Sequence, residues 1–202
     1  MPQPNKPLAG LKVIELGTLI AGPFAARICA EFGAQVTKVE SPDGGDPLRK
    51  WRKLYEGTSL WWFVQARNKR SITLNLKHPQ GREVLMKLLA EADILIENFR
   101  PGVLEKLGFG WDVLHALNPR LVMVRLSGFG QTGPMKDQPG FGAVGESMGG
   151  LRYITGFEDR PPVRTGISIG DSIAALWAVI GALMALRQRE VNGGQGQIVD
   201  VA

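Results

Sequence analysis

The stretch from Lys12 to Glu40 reads KVIELGTLIAGPFAARICAEFGAQVTKVE, and its pattern decides the fold. It opens on a short apolar run, Lys12-Val13-Ile14-Glu15-Leu16, stopped by Gly17, which suits a buried strand. Pro23 is tolerated in a first helical turn and opens a helical pattern from Phe24 to Phe32, which Gly33 closes. Val36 to Glu40 is a second strand. Strand, helix and strand in this order are the unit of a parallel sheet.

The same alternation continues outward. Ser41 to Lys53 is rich in Gly, Pro and charge and reads as a loop. Ser71 to Leu76 alternates as a strand does, and Pro79 starts a helix to about Ala92 with Val84, Leu85, Leu88 and Leu89 on one stripe. Asp93 to Glu97 is a strand, Pro101 starts a helix carrying Val103, Leu104 and Leu107, and Trp111 to Leu117 is helical up to Asn118-Pro119. Leu121 to Leu126 is a strand. Residues 127–166 form a long glycine-rich stretch with only short structured pieces. Asp171 to about Arg189 is a strongly apolar helix, and Gln197 to Val201 begins a last strand. The expectation is an α/β fold with a mostly parallel, Rossmann-like sheet and flanking helices. Ligands of such sheets bind at the carboxyl ends of the strands.

Composition narrows the function classes. The chain has 202 residues, 44% hydrophobic and 21% charged, enough for one domain with a real core and not disordered or fibrous. One cysteine, Cys29, excludes an internal disulfide and suits a reducing, cytoplasmic setting. One Cys and two His (His78 and His115) leave no zinc cluster of the usual ligand types. Met1 to Lys6 has no charged-then-apolar signal pattern, and the longest apolar run, Ile173 to Leu186, has 14 residues where a bilayer span takes about 20. The net charge of +5 suits an anionic partner. The basic residues are scattered, with Arg67, Lys69 and Arg70 the densest group, so nucleic acid is the weaker option, and neither it nor a membrane is expected as a partner.

Few motifs carry chemistry. Gly128-Phe129-Gly130-Gln131-Thr132-Gly133 matches a dinucleotide loop and follows a strand, but Pro134 and Lys136-Asp137-Gln138 follow it where an apolar helix should. Gly170-Asp171-Ser172 precedes the apolar helix. There Asp171 can cap the helix, or serve as a carboxylate kept ionised by the helix N-terminus and able to attack a thioester or phosphoryl centre. The two readings are compatible. Trp61-Trp62 suits packing, Cys29 a buried thiol, and His78 and His115 capping or surface positions.

Taken together, several segments resemble one family, the class III coenzyme A transferases, with the related α-methylacyl-CoA racemases. They are Leu8 to Leu16, Ala21-Gly22-Pro23, Phe32 to Glu40, Asn68-Lys69-Arg70-Ser71, Leu74-Asn75-Leu76-Lys77, Glu97 to Gly102, Ser127 to Gly130, and Gly170-Asp171. The resemblance implies an N-terminal portion (1–202) of a longer protein, whose subunits interlock as two threaded rings, and a homodimer or a second chain that completes the fold. It implies Asp171 as the nucleophile that forms a mixed anhydride with the acyl group and then a thioester with CoA. The partners are then an acyl-CoA and an acceptor carboxylic acid, with no prosthetic group and no metal.

The same resemblance places CoA contacts on Ile20, Ala21, Leu74, Lys77, Asn98, Arg100, Lys106 and Leu107. Two departures stand out: Gly142 occupies a position where an acidic residue is common, and Ser41 one where some members carry Arg. The resemblance also leaves a racemase branch, which needs a His-Asp pair where this chain reads Gly140-Phe141-Gly142, and a non-catalytic CoA-binding remnant.

Overall fold

The computed structural model describes residues 6–202. The chain begins with β1 (Lys12–Glu15), α1 (Ala21–Glu31) and β2 (Gln35–Glu40). A short 3-10 helix, Pro47–Lys50, and a hairpin of β3 (Leu54–Tyr55) and β4 (Thr58–Ser59) follow, then α2 (Leu60–Gln65) and β5 (Lys69–Thr73). Next come α3 (Pro79–Ala90), β6 (Ile94–Glu97), α4 (Val103–Lys106), α5 (Trp111–Leu117) and β7 (Val122–Leu126). The last elements are α6 (Gly142–Met148), α7 (Ile169–Val191) and β8 (Ile198–Val201).

Six strands form one parallel sheet in the order β5-β2-β1-β6-β7-β8. Numbered among the sheet strands alone, this is the 3-2-1-4-5-6 order of the Rossmann fold, whose order reverses between β1 and β6. The register sets Val13 beside Val36 and Ile94. Both faces are apolar because successive side chains point to opposite sides. Val13, Ile94, Ile96, Val122 and Val124 face α1 and α7, whereas Ile14, Leu95 and Met123 pack with Leu85 and Leu89 of α3, Leu104 of α4 and Leu114 of α5.

Most strands follow the apolar runs closely, but the one expected from Ser71 to Leu76 is β5, Lys69–Thr73, set earlier by its pairing with β2. Helix α1 starts at Ala21, ahead of the expected Phe24, because Pro23 lies in the first turn, where no amide is needed. The expected loop from Ser41 to Lys53 contains the 3-10 helix, with the Asp46 side chain accepting from Leu48 N at its start. The hairpin turns at Glu56 and Gly57, both at positive φ, as a tight turn of this hand requires. Trp62 lies inside α2 and packs against Ile20 and Leu48. The dinucleotide motif opens no helix: Gly128 is pressed against Gly140, where a Cβ would meet backbone at 2.5 Å.

Helix α7 is built unusually. Its inner face is small, with Ala175, Ala178, Ala182 and Ala185 beside Val179 and Leu186, at helical spacing and buried against α1 and the sheet. Its outer face carries the bulk: Ile173, Leu176, Trp177, Ile180, Leu183 and Met184 are exposed. By length and composition α7 could cross a membrane, although no single apolar run in it exceeds 14 residues. Its packed alanine face instead makes it a wall of the core.

Candidate functional site

At the switch point the first βα turn approaches the turn after β6. Gly17 lies against Gly22, so close that a Cβ on Gly17 would sit 2.9 Å from the Gly22 Cα. Asn98 stitches the two turns: Thr18 N donates to its Oδ1 at 2.8 Å, and its Nδ2 donates to Thr18 O at 2.9 Å. The Asn98 side chain is thus engaged within the protein. Ile20 and Ala21 begin the helix that leaves this turn, and both side chains are buried, so this turn can offer a ligand its backbone rather than those side chains.

Beneath the turn lies a network of charges that sequence reasoning missed. Lys38 Nζ pairs with Glu15 Oε1 and Asp46 Oδ2, each at 2.8 Å, and donates to Gly17 O at 2.7 Å. Lys69 Nζ pairs with Glu15 Oε2 at 2.7 Å and donates to Pro23 O. Glu15 is fully buried and Lys38 is 1% exposed. Burial pulls Lys38 down, but Glu15 and Asp46 hold it above the ordinary lysine value. Burial wins for Lys69, which is lowered despite Glu15. The available signal was a charge inside an apolar strand, at Glu15 in β1 and Lys38 in β2.

Glu40 closes the end of β2. It takes a bidentate pair from Arg49 at 2.8 Å on each oxygen, the Asp46 amide, and the Ser71 hydroxyl. Burial raises its carboxyl, but these donors outweigh burial and hold it at about 2. Because the folded value lies below the unfolded one, the stability from Glu40 is whole above roughly pH 4.3 and is lost as the pH falls toward 2, roughly 3 kcal/mol in all. Glu40→Gln should therefore lower stability at pH 7 and flatten its dependence on pH between about 5 and 2. Denaturant unfolding at a series of pH values checks this, and a slope in that window equal to that of the parent chain would refute it.

Above the network opens a cleft of about 320 Å³, walled by Lys38, Ser41, Leu74, Lys77, Phe99 and Leu107. Of the positions expected to hold CoA, it gathers Leu74, Lys77 and Leu107. Arg100 and Lys106 are exposed and do not line it, and Lys106 ends the four-residue α4. A larger hollow of about 570 Å³ lies at the other end of the strands, among Lys12, Gln35, Asn68 and Arg70, at or near the starts of β1, β2 and β5. Ligands of parallel sheets bind at the carboxyl ends, so the smaller cleft is the candidate.

Asp171 stands in the first turn of α7. Since β8 runs parallel to β7, the connecting α7 runs against the strands, and its N-terminus falls at the carboxyl edge of the sheet. Asp171 does not cap the helix: Ser168 holds the N-cap position and Asp171 is the third helical residue. The side chain lies against α6, where a Cβ on Gly142 would sit 2.6 Å from Asp171 Oδ2. Its carboxyl is raised above the ordinary value, by burial first and then by the charge of Glu146, with Arg164 opposing. The cleft and Asp171 share the sheet edge but not one cavity.

The remaining flagged side chains have structural places. Burial pushes the Cys29 thiol up to about 11. His78 is the N-cap of α3, accepting from Gln80 N at 3.3 Å, and His115 stacks on Trp111.

Comparisons with known proteins bear out the fold. The chain is 57% identical over 200 residues to a succinyl-CoA--D-citramalate CoA-transferase of Chloroflexus aurantiacus, covering 98% of this chain and 50% of that protein. It is 50% identical over 198 residues to the beta subunit of a succinyl-CoA--L-malate CoA-transferase from the same organism, covering 97% and 49%. The crystal structure of a CAIB/BAIF family protein from Brucella suis superposes with a TM-score of 0.93 at 40% identity, covering 98% of this chain and 53% of that one. The chain spans about half the length of the curated relatives it matches. The model of CoA-transferase family III matches residues 8–202, and the chain belongs to that family.

Proposed function

We propose that this chain is the N-terminal portion of a CoA-transferase that moves CoA from succinyl-CoA to a hydroxy dicarboxylic acid, by way of Asp171. The observation that carries the reading is the position of Asp171, half-buried in the first turn of α7 at the carboxyl edge of a Rossmann-like sheet. The acids named for the relatives at 57% and 50% identity support the acceptor class. An Asp171 oxygen attacks the thioester carbonyl, the C–S bond breaks, and CoA leaves as thiolate from an acyl–aspartyl anhydride. The thiolate then attacks the Asp171 carbonyl carbon and expels the donor acid, leaving an aspartyl–CoA thioester. The acceptor carboxylate repeats the sequence in reverse and departs as its CoA thioester. The helix N-terminus favours the ionised nucleophile, against the burial that opposes it.

The CoA moiety is assigned to the cleft of Leu74, Lys77 and Leu107, with the backbone of Ile20-Ala21 and the region of Asn98 beside the pantetheine arm. Lys77, Arg100 and Lys106 are exposed cations suited to its phosphates. Lys77→Ala and Arg100→Ala should each weaken acyl-CoA binding roughly threefold to tenfold at low ionic strength, and less at high salt. Calorimetric titration at two salt concentrations measures this. Unchanged affinity in both variants would take these residues out of the site.

The bulky outer face of α7 is assigned to an assembly contact, with a second copy in an interlocked dimer or with a completing chain. The 202 residues expressed alone should self-associate, and a clean monomer at micromolar concentration in sedimentation would argue against that contact. The setting is assigned as cytoplasmic, in keeping with a single buried thiol.

The deciding experiment gives the full-length protein succinyl-CoA with isotopically labelled acids and follows CoA onto the label. Transfer to the label, with a CoA adduct on Asp171 by intact mass, is the expected result. Loss of α-deuterium from a 2-methylacyl-CoA without transfer would mark an epimerase, and binding without either would mark a remnant.

A further inference from the structure

Glu146 lies on α6, one turn beyond Gly142 and therefore on the same face of that helix. Gly142 is the residue pressed against Asp171, so this face of α6 meets the first turn of α7. Glu146 is 4% exposed, and neither carboxylate oxygen has a hydrogen-bond partner among the described residues. Helices α6 and α7 pack against each other, and the charge of Glu146 helps raise the Asp171 carboxyl.

A buried carboxylate without a donor is costly, more so beside a second one. Transfer between carboxylates through an anhydride and a thioester moves no proton, so the chemistry needs no second acid. Glu146 would also repel an incoming carboxylate. A hydroxyl donor on a bound molecule offsets that cost, because an ionised carboxylate can only accept. Hydroxy acids bring such a donor next to the carboxylate that must reach Asp171. Arg164, close enough to oppose the rise in the Asp171 carboxyl, is exposed and available for the acid's other carboxylate.

We infer that Glu146 is the specificity residue for the acceptor: its carboxylate accepts a hydrogen bond from the hydroxyl of a hydroxy dicarboxylic acid bound beside Asp171. The inference rests on the transferase reading above and adds the residue that distinguishes hydroxylated from plain acids. A site built to bond a hydroxyl discriminates strongly against the analogue that lacks it, because its own polar group is then left unpaired.

The test uses the full-length protein as wild type, Glu146→Ala and Glu146→Gln, with succinyl-CoA as donor and either malate or glutarate as acceptor. The quantity read is the ratio of kcat/KM for malate to that for glutarate. Wild type should favour malate, Glu146→Ala should lower the ratio about 10- to 100-fold, and Glu146→Gln, which keeps a carbonyl acceptor, should fall between. A ratio unchanged within about twofold in both variants, with both acids losing equally, would overturn the inference and make Glu146 a positioning residue for Asp171 or for the CoA arm. A wild type that transfers to glutarate but not to malate would defeat the acceptor reading and the role of Glu146 with it. A wild type that forms no CoA adduct from succinyl-CoA would defeat the transferase reading itself, an outcome seen before any acceptor is added. Should Glu146→Ala fail to fold, the near-isosteric Glu146→Gln alone must still show a selective loss for malate.

Discussion

Asp171→Asn in the full-length protein should fold as the wild type does and lose turnover by about four powers of ten or more, because an amide cannot form the anhydride. The same substitution should hold or slightly raise the melting temperature. The Asp171 carboxyl is raised in the fold, which means that its charged form is disfavoured there, by burial and by Glu146. A group with a raised folded value adds stability below its unfolded pKa and loses it as the pH rises through the folded one. At neutral pH, then, Asp171 weakens the fold, and Asn removes that penalty. Asp171→Ala should lose turnover equally and should lack the ~1 kcal/mol deficit of a removed cap, since Ser168 holds the cap position. Loss of activity with unchanged or increased stability separates a strained nucleophile from a structural acid. Near-normal exchange in the Asn variant, or a CoA adduct on another residue, would end the assignment. The raised carboxyl also predicts that wild-type kcat climbs with pH on the acid side, which a pH profile of the single-turnover adduct step would show.

The sequence was most legible where burial is complete. The apolar runs at Val13, Ile94 and Val122 marked three central strands within a residue or two, because a strand covered on both faces leaves no polar interruption to misread. The hairpin at Leu54–Ser59 was not legible, since its strands are two residues each and carry no period. Lys69 belongs to the densest group of cations in the sequence, yet its side chain is buried against Glu15. A lone charge in a sequence reads as solvated, and only the register of β1, β2 and β5 brings these partners together. Glu146 was hidden for the same reason inside a glycine-rich stretch, where neither helix α6 nor its approach to α7 has a local signature. Asp171 was singled out both by its place before the apolar helix and by the resemblance, and only its cap reading fails, because Ser168 holds the N-cap position.

Lys38→Met should be the most damaging substitution to the fold, lowering stability by about 3–5 kcal/mol, as expected when one partner of a buried ion pair is removed. The network holds two acids, Glu15 and Asp46, and two bases, Lys38 and Lys69, so its net charge is zero. Methionine matches the lysine stem in volume and leaves two carboxylates facing one ammonium in a site sealed from water. At the scale of a 200-residue chain that loss shifts the melting temperature by roughly 10 °C. A second change isolates the cause. Asp46→Asn keeps an oxygen for the Leu19 and Leu48 amides while removing one negative charge. Alone it leaves an excess positive charge; with Lys38→Met it restores balance around Glu15 and Lys69. The double variant should therefore be more stable than the sum of the two losses predicts, by about 2 kcal/mol in a denaturant-melt cycle. Additive losses would show that Lys38 matters through packing alone. The network also ties stability to the site, because Lys38 Nζ donates to Gly17 O and walls the cleft of Lys77 and Leu107. In the double variant, where charge is balanced but that donor is gone, stability should return in part while acyl-CoA binding stays weakened, since the turn at Gly17 has lost the bond that fixes it.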